Sequence, residues 1–374
     1  MQEIERVAGA ITDLASAGGS GVLATLVDAT GSTLRRPGAR LLIREHGEAV
    51  GFLSAGCVEA DLAEHAAAVM AGAPPEIVVY DGDASEDVAF GFGLGCRGTV
   101  RVLLERIPGT ASRALEEVAR ARRKRHTVAV VTHVRAAAQA TVVHLTLDDS
   151  GSSWTDAPDP ALAEGLRAAA ETALQTGQGG TYPRSETGTD GETFTEVIEP
   201  PVALLIAGSG ADAVALCRQG VTMGWEVTVL DRRPARLTDE RFPGARAIIS
   251  CQPADVPARV HTDTETAVVI LTHNLLEDRE LLPALLRSQA FYVGLIGSRA
   301  RTSRLLEEVV DDDGPFTSEQ MARLYTPVGL DLGAESAEEL ALAIAAEILA
   351  ARSRRSGGFL REGRGSLHEP SPGA

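Results

Sequence analysis

Val202-Ala203-Leu204-Leu205-Ile206 runs directly into Ala207-Gly208-Ser209-Gly210-Ala211-Asp212-Ala213, and a stretch of helical periodicity follows. An apolar strand, a glycine-spaced turn and a helix in immediate succession form the local pattern of a dinucleotide-binding βα unit. Gly208 permits the tight turn, Gly210 lets backbone N–H groups approach a pyrophosphate, and Ala213 allows the helix to lie close on the sheet. Asp231 ends the next strand, where its carboxylate can accept a hydrogen bond from a ribose 2′-hydroxyl. Arg232 and Arg233 directly behind it would instead favour a 2′-phosphate, so NAD and NADP both stay open. The same glycines also fit a tight turn that binds no nucleotide at all.

Working outward from this turn, strand patterns at Val202–Ile206, Glu226–Leu230, Ala245–Ile249, Ala267–Leu271 and Tyr292–Ile296 alternate with helical ones. That alternation predicts a Rossmann-type parallel sheet, with ligands outside the carboxyl ends of the strands. Two further strand ends point to that edge. One is Thr272-His273-Asn274 followed by Asp278, where His273 reads equally well as an ordinary surface histidine. The other is Gly297-Ser298-Arg299-Ala300-Arg301, a turn into a helix whose N–H groups and guanidinium groups suit an anion. Gly329 to Gly333 is expected to complete the rim, ahead of a last helix with a capping box, Ser336 to Glu339, and apolar Leu340, Ile344 and Ile348 on one face.

Toward the N-terminus, Glu199-Pro200-Pro201 reads as a boundary. The expected division is an α/β domain over 1–199, the Rossmann-type domain over 200–355, and a disordered tail over 356–374 rich in Gly, Ser and Pro. Ile4, Val7, Ile11 and Leu14 give an opening amphipathic helix, and strands follow at Gly21–Val27, Ala39–Ile43 and Ala49–Leu53, the last two flanking a turn at His46-Gly47. A helix from Glu59 to Met70 stops at Gly72. Strands at Glu76–Tyr80 and Thr99–Leu104 bracket a Gly-rich loop, and a helix follows Pro108. Strands at Thr127–Val134 and Ala140–Leu147, a helix ending near Leu174 and a strand at Glu192–Ile198 complete this half, a mixed α/β domain in which no internal repeat is legible.

Composition narrows the function. A formal net charge of −17 over 374 residues argues against a nucleic-acid partner or an anionic membrane surface. The basic run Arg120 to His126 reads as the end of a helix, where cations complement the dipole. No apolar run reaches the length of a membrane span, and Met1 to Glu5 lacks the character of a signal peptide, so the expected location is the cytoplasm with reduced thiols. Four cysteines, with no C-x-x-C pair, are too few for a disulfide framework and match no common zinc spacing, so no metal site is expected from them.

Two of these cysteines stand in unusual company. Cys57 lies in Ser54-Ala55-Gly56-Cys57-Val58-Glu59, at the start of a helix, and Cys96 in Gly95-Cys96-Arg97-Gly98. A helix N-terminus or an adjacent arginine lowers a thiol pKa, which favours thiolate. The loop Gly31 to Arg40 adds Ser32, Arg35, Arg36 and Arg40 as donors suited to phosphate. Cys217 and Cys251 fall within helix and strand patterns and are expected in the core.

Gly31-Ser32, Arg36-Pro37-Gly38, Gly56-Cys57-Val58-Glu59 and Gly95-Cys96-Arg97-Gly98 resemble the N-terminal motifs of the xanthine dehydrogenase accessory (XdhC/CoxI) family. The C-terminal Gly208, Gly210, Asp231-Arg232-Arg233-Pro234, Thr272-His273-Asn274, Gly294 to Arg299 and Gly329 to Asp331 resemble its Rossmann domain. Ala55 and Arg97 stand where the family often has glycine, and Ala211 where it commonly has histidine. The resemblance implies an accessory protein that binds molybdenum cofactor (molybdopterin or its dinucleotide), protects it during sulfuration and inserts it into a xanthine dehydrogenase-type or carbon monoxide dehydrogenase-type molybdenum enzyme. It also implies a homodimer and a cysteine desulfurase as a further partner. Cys57 and Cys96 are then the sulfur or cofactor contacts.

The residues by themselves keep a second reading open, an NAD(P)-dependent oxidoreductase with His273 as acid–base, although no second catalytic group is evident. A third is a non-enzymatic scaffold that docks a partner enzyme. Xanthine dehydrogenase itself is excluded, because two all-cysteine [2Fe–2S] clusters need eight cysteines and the chain has four.

Overall fold

The computed structural model describes residues 2–31, 33, 35–54, 58–81, 98–135, 140–182 and 191–362. They fall into two compact units, Met1–Pro200 and Pro201–Ala374.

The first unit begins with α1 (Gln2–Ser16), β1 (Gly21–Gly31), β2 (Arg40–Arg44), β3 (Ala49–Gly51), α2 (Glu59–Met70), β4 (Glu76–Asp81) and β5 (Gly98–Ile107). These strands pair antiparallel in the order β3-β2-β1-β5-β4. Then come α3 (Thr110–Arg123), β6 (Val128–Arg135), β7 (Thr141–Asp148), β8 (Ser153–Thr155), α4 (Pro160–Thr176), β9 (Gly180–Tyr182) and β10 (Glu192–Ile198). They form a second antiparallel sheet, in the order β8-β7-β6-β10-β9. Among the described residues each set runs helix, three strands, helix, two strands, and each sheet orders its own strands third, second, first, fifth, fourth. The sequence showed no internal repeat, and the structure corrects this: the first unit is one topology used twice.

Burial explains why the central strands read as apolar runs rather than alternations. Val22, Ala24 and Leu26 of β1 pack against Leu62, Ala66 and Val69 of α2, while Leu23 between them packs against Val7 and Ile11 of α1. A strand covered on both faces has no polar face to show. In the second sheet Ala129, Val131, Leu145 and Leu147 meet Leu162, Leu166 and Ala170 of α4. Val27, Leu103, Val134 and Phe194 form a cluster that joins the two sheets. Each fully buried leucine or valine here contributes roughly 1.5–3 kcal/mol. The basic run does close a helix: Arg120 binds Glu117, buried Arg122 binds Glu5 and the Glu199 carbonyl, and His126 binds Asp149.

The second unit contains β11 (Ala203–Ala207), α5 (Ala211–Thr222), β12 (Glu226–Asp231), β13 (Ala247–Ser250), α6 (Val256–Arg259), β14 (Thr266–Ile270), α7 (Leu275–Leu286), β15 (Tyr292–Leu295), α8 (Arg299–Asp313), α9 (Ser318–Ala322), β16 (Leu324–Tyr325) and α10 (Ala337–Arg352). All its strand pairs are parallel, in the order β13-β12-β11-β14-β15-β16. Counted within the unit this is 3-2-1-4-5-6, the doubly wound order of dinucleotide folds, which reverses between β11 and β14. One face is covered by α5 and α10 through Leu216, Ile344 and Ile348, the other by α7 and α8 through Leu281, Leu285 and Val309. The expected capping box of α10 is present, with Ser336 Oγ accepting from Glu339 N at 3.2 Å. Among the described residues no helix is long and apolar enough to cross a membrane.

Candidate functional site

In the first sheet, β1, β3 and β4 run in one direction and β2 and β5 in the other. Gly31 therefore ends β1 beside Gly98, which starts β5, and Asp81 ends β4 beside Thr99. Gly51 ends β3 toward the same side. The flanks of 32 and of 82–97 consequently leave the sheet at one end, whereas β3 runs toward that end but stops short of it, Gly51 lying across Leu41 from Ala24. Ser32, Cys57 and Cys96 themselves lie outside the described residues.

The described flanks are tied down. Arg35 Nη2 donates to Glu3 Oε1 and Oε2 at 2.7 and 2.6 Å, and its guanidinium carbon lies 4.3 Å from the centre of the Phe52 ring. This links the loop after β1 to the segment that leads toward Cys57. Arg40 is buried, donating to Glu196 Oε2 at 2.5 Å and to the Gly38 carbonyl at 2.8 Å. Gly38 has φ +94°, and a Cβ there would sit 2.2 Å from Glu196 Oε1. Glu59 accepts from Ser54 N at 2.7 Å, from Leu53 N at 3.3 Å and from the Ser54 hydroxyl, and Ser54 Oγ accepts from Val58 N at 3.3 Å. Burial works to raise the Glu59 pKa, but the hydrogen bonds from Ser54 and Leu53 bring it below the ordinary carboxylate range. The clamp so formed ties Ser54 to the first residue of α2. Arg36 is exposed.

Arg35 and Arg40, read from sequence as phosphate donors, are thus committed to Glu3 and Glu196. Sequence spacing offered no signal for these partners, which lie 32 and 156 positions away. Phe52 and Glu3 were missed for the same reason, whereas Glu59 stood in the Cys57 motif without its bonds to Ser54 and Leu53 being read.

In the second unit the predicted residues converge on the carboxyl edge of the parallel sheet. Gly208 has φ +135°, and a Cβ would lie 2.3 Å from the Leu271 carbonyl oxygen, so only glycine fits between β11 and the end of β14. Gly210 is the N-cap of α5. Asp231 Oδ2 accepts from the buried Ser209 hydroxyl at 2.7 Å and from Arg233 Nη2 at 2.7 Å, and Oδ1 accepts from Arg233 N and Nε, both at 2.8 Å. His273, at φ +55°, is half-exposed and pairs through Nε2 with Asp212 Oδ2 at 2.6 Å. Asn274 caps α7 through Leu276 N and donates to Glu277, which also receives Arg232 Nε at 2.7 Å.

Ser298 Oγ caps α8, accepting from Arg301 N at 3.3 Å after Gly297 at φ +148°. Arg299 is exposed. Arg301 turns inward instead, donating to the fully buried Asp278 at 2.6 Å and to the Ile296 carbonyl at 3.2 Å. Burial pushes the Asp278 pKa up, against the hydrogen bond from Thr272 and the charge of Arg301. Gly329, expected at the rim, packs against Ala343 of α10. Cys217 is buried as expected. Cys251 is only half-buried, and it lines a small cavity with Gly208, Asp231, Arg232 and Thr272. Among the described residues no cluster of three or more His, Cys, Asp or Glu could hold a metal ion.

The two units together define a two-part α/β protein: a duplicated antiparallel unit and a unit with the doubly wound dinucleotide topology. Residues 14–81 match the XdhC and CoxI family, and residues 204–348 match the XdhC Rossmann domain. A protein of Bacillus subtilis (strain 168) described as a probable xanthine dehydrogenase subunit is 32% identical over 333 residues, spanning 89% of this chain and 93% of that protein. The molybdenum cofactor insertion chaperone PaoD of Escherichia coli (strain K12) is 26% identical over 336 residues, 90% of this chain and 84% of that one. A crystal structure described as a xanthine dehydrogenase from Bacillus halodurans superposes with a TM-score of 0.76 at 29% identity, covering 94% of this chain and 98% of that one. The chain belongs to the XdhC and CoxI family.

Proposed function

We propose that this chain is a molybdenum cofactor-binding accessory protein, which protects the cofactor, supports its sulfuration and delivers it to a xanthine dehydrogenase-type molybdenum hydroxylase. The relative named as a molybdenum cofactor insertion chaperone, alike over 90% of this chain, supports the activity. The observation that supports the site is the sheet end at Gly31, Asp81 and Gly98, from which the flanks of the Ser32 and Cys96 segments depart and toward which β3, leading to the Cys57 segment, also runs. Thiolates are soft donors suited to a sulfur-rich metal centre. Cys57 and Cys96 are the cofactor or sulfur contacts in this reading. Ser32 and Arg36 meet the pterin phosphate as hydroxyl and guanidinium donors. The cofactor is cargo, so the chain's own work is to bind it, orient it and shield it from water rather than to turn over a substrate.

The recipient is a molybdenum enzyme of the xanthine dehydrogenase or carbon monoxide dehydrogenase type. A second copy of this chain and a cysteine desulfurase complete the proposed assembly, in the cytoplasm. The test is transfer. Chain loaded with molybdenum cofactor is mixed with cofactor-free hydroxylase, and recovered activity is followed against an equal amount of free cofactor. Faster and fuller activation from the loaded chain supports delivery. Equal activation from the free cofactor removes it.

A further inference from the structure

We infer that the second unit does not take NAD(P) in the dinucleotide mode of its fold, because the groups that would bind it already hold the unit together. The topology implies that cofactor, and three separate features of the carboxyl edge fail to fit it.

The ribose acid is the first. An ionised carboxylate offers about four acceptor positions. Asp231 uses them on Ser209 Oγ, Arg233 N, Arg233 Nε and Arg233 Nη2, all within 2.7–2.8 Å. A ribose hydroxyl could enter only by displacing a donor, and displacing the Arg233 guanidinium would exchange a bidentate ion pair for a single bond from a neutral donor. The buried Ser209 hydroxyl stands in the middle of the glycine turn itself.

The phosphate turn is the second. Asp212, the second residue of α5, puts a carboxylate at the helix N-terminus that would otherwise meet the pyrophosphate. Its Oδ1 accepts from Ala213 N at 2.8 Å and its Oδ2 meets His273 Nε2 at 2.6 Å. The carboxylate lies close against the turn, for a Cβ at Gly210 would come within 2.5 Å of Oδ1. A diphosphate arriving here meets a like charge and an amide already in use.

Space is the third. The cavity bounded by Gly208, Leu230, Asp231, Cys251 and Thr272 measures about 10 Å³, the room of a single water at most. Arg232 and Glu277, paired at 2.7 Å, line the same space. An adenosine set against Asp231 in this space would have to displace that pair, and the larger cavity beside α5, about 540 Å³ and lined by Ala211, Arg218, Thr238 and Arg241, is not lined by Asp231.

The first two features share a role. Ser209–Asp231 fastens the end of β11 to the end of β12, and Asp212–His273 fastens α5 to the end of β14. The glycine-rich fingerprint is a clasp across the point where the strand order reverses, and the fold has kept the turn while its polar groups bind one another. This inference is independent of the cofactor-delivery reading, since molybdenum retention and dinucleotide binding are measured separately.

The experiment is calorimetric titration of the full chain with NAD+, NADH, NADP+ and NADPH. The wild type is expected to give no saturable binding up to about 1 mM of any of them. The D212A/R233A double variant, which releases two of the four acceptor positions of Asp231 and removes the opposing charge, is expected to bind at least one of them about tenfold or more tighter. Micromolar binding to the wild type, lost in Asp231→Ala, would overturn the inference. So would a double variant that keeps its circular dichroism and gains no affinity. If that variant does not fold, the wild-type titration alone decides the question.

Discussion

Arg233 closes back on Asp231 from two positions further along the chain, with Nε 2.8 Å from Oδ1 and Nη2 2.7 Å from Oδ2. Burial acts to raise the Asp231 carboxyl, but the hydrogen bonds from Arg233 and Ser209 win and hold its pKa at about 2, against an ordinary 3.8. A depressed folded value means that the stabilisation is complete above the unfolded pKa and is lost as pH falls through the folded one. The chain should therefore lose this contribution between about pH 4 and pH 2. Arg233→Ala should raise the Asp231 pKa and cost on the order of 1–2 kcal/mol at neutral pH, a modest figure because the guanidinium is partly solvated. Carboxyl chemical shifts followed through an acid titration check both points.

A second ion pair works with the opposite sign. His144 of β7 donates from Nε2 to Glu105 Oε1 of β5 at 2.8 Å, both side chains buried between the two sheets of the first unit. Burial alone would lower the His144 pKa, but the Glu105 charge and hydrogen bond, helped by Asp156 and opposed by Arg40, raise it. The contribution is then complete below the unfolded value near 6.5 and fades as pH rises through the higher folded value. Melting temperature should fall across the alkaline side of neutrality. Glu105→Gln should flatten that slope and cost about 3 kcal/mol, because one partner of a buried pair is removed. Thermal melts of both proteins across pH 6 to 9 decide it.

Gly38 and Glu196 make a steric prediction. A methyl at Gly38 meets the Glu196 carboxylate at 2.2 Å, and φ +94° disfavours any side chain. Gly38→Ala should destabilise by about 2–3 kcal/mol. The cost should shrink in a Glu196→Ala background, where the clash is gone and the backbone strain alone remains. Additive costs in a double-mutant cycle by urea unfolding would contradict the contact.

Arg35 links loop and ring. Its removal breaks the bonds to Glu3 and the stacking on Phe52. Arg35→Ala should cost about 1–2 kcal/mol. It should also weaken molybdenum retention, by loosening the segments that carry Ser32 and Cys57 toward one another. Retention unchanged in a folded Arg35→Ala protein would show that this brace does not serve the site.

Much of the fold was legible because burial leaves periodic marks. The sequence reads α2 as Glu59 to Met70 with a stop at Gly72, and β10 as Glu192–Ile198, as the structure has them, with Leu62, Ala66 and Val69 forming the buried face of α2. Strands β8, β9 and β16 escaped notice because two or three residues carry no period. The duplication escaped because it resides in which strands pair, and backbone pairing constrains topology without requiring the same side chains. At the carboxyl edge of the second unit, the positions of Gly208, Asp231, His273 and Ser298 were readable from strand ends. Their partners were not: nothing in the spacing of Asp212 and His273, 61 positions apart, announces that they meet.

The measurement closest to the central claim is molybdenum co-eluting with the purified chain after incubation with isolated cofactor, for wild type, Cys57→Ala and Cys96→Ala. The account predicts stoichiometric metal on the wild type and a marked loss in each variant, with folding intact by circular dichroism. Full retention by both folded variants, or no retention by the wild type, would contradict it.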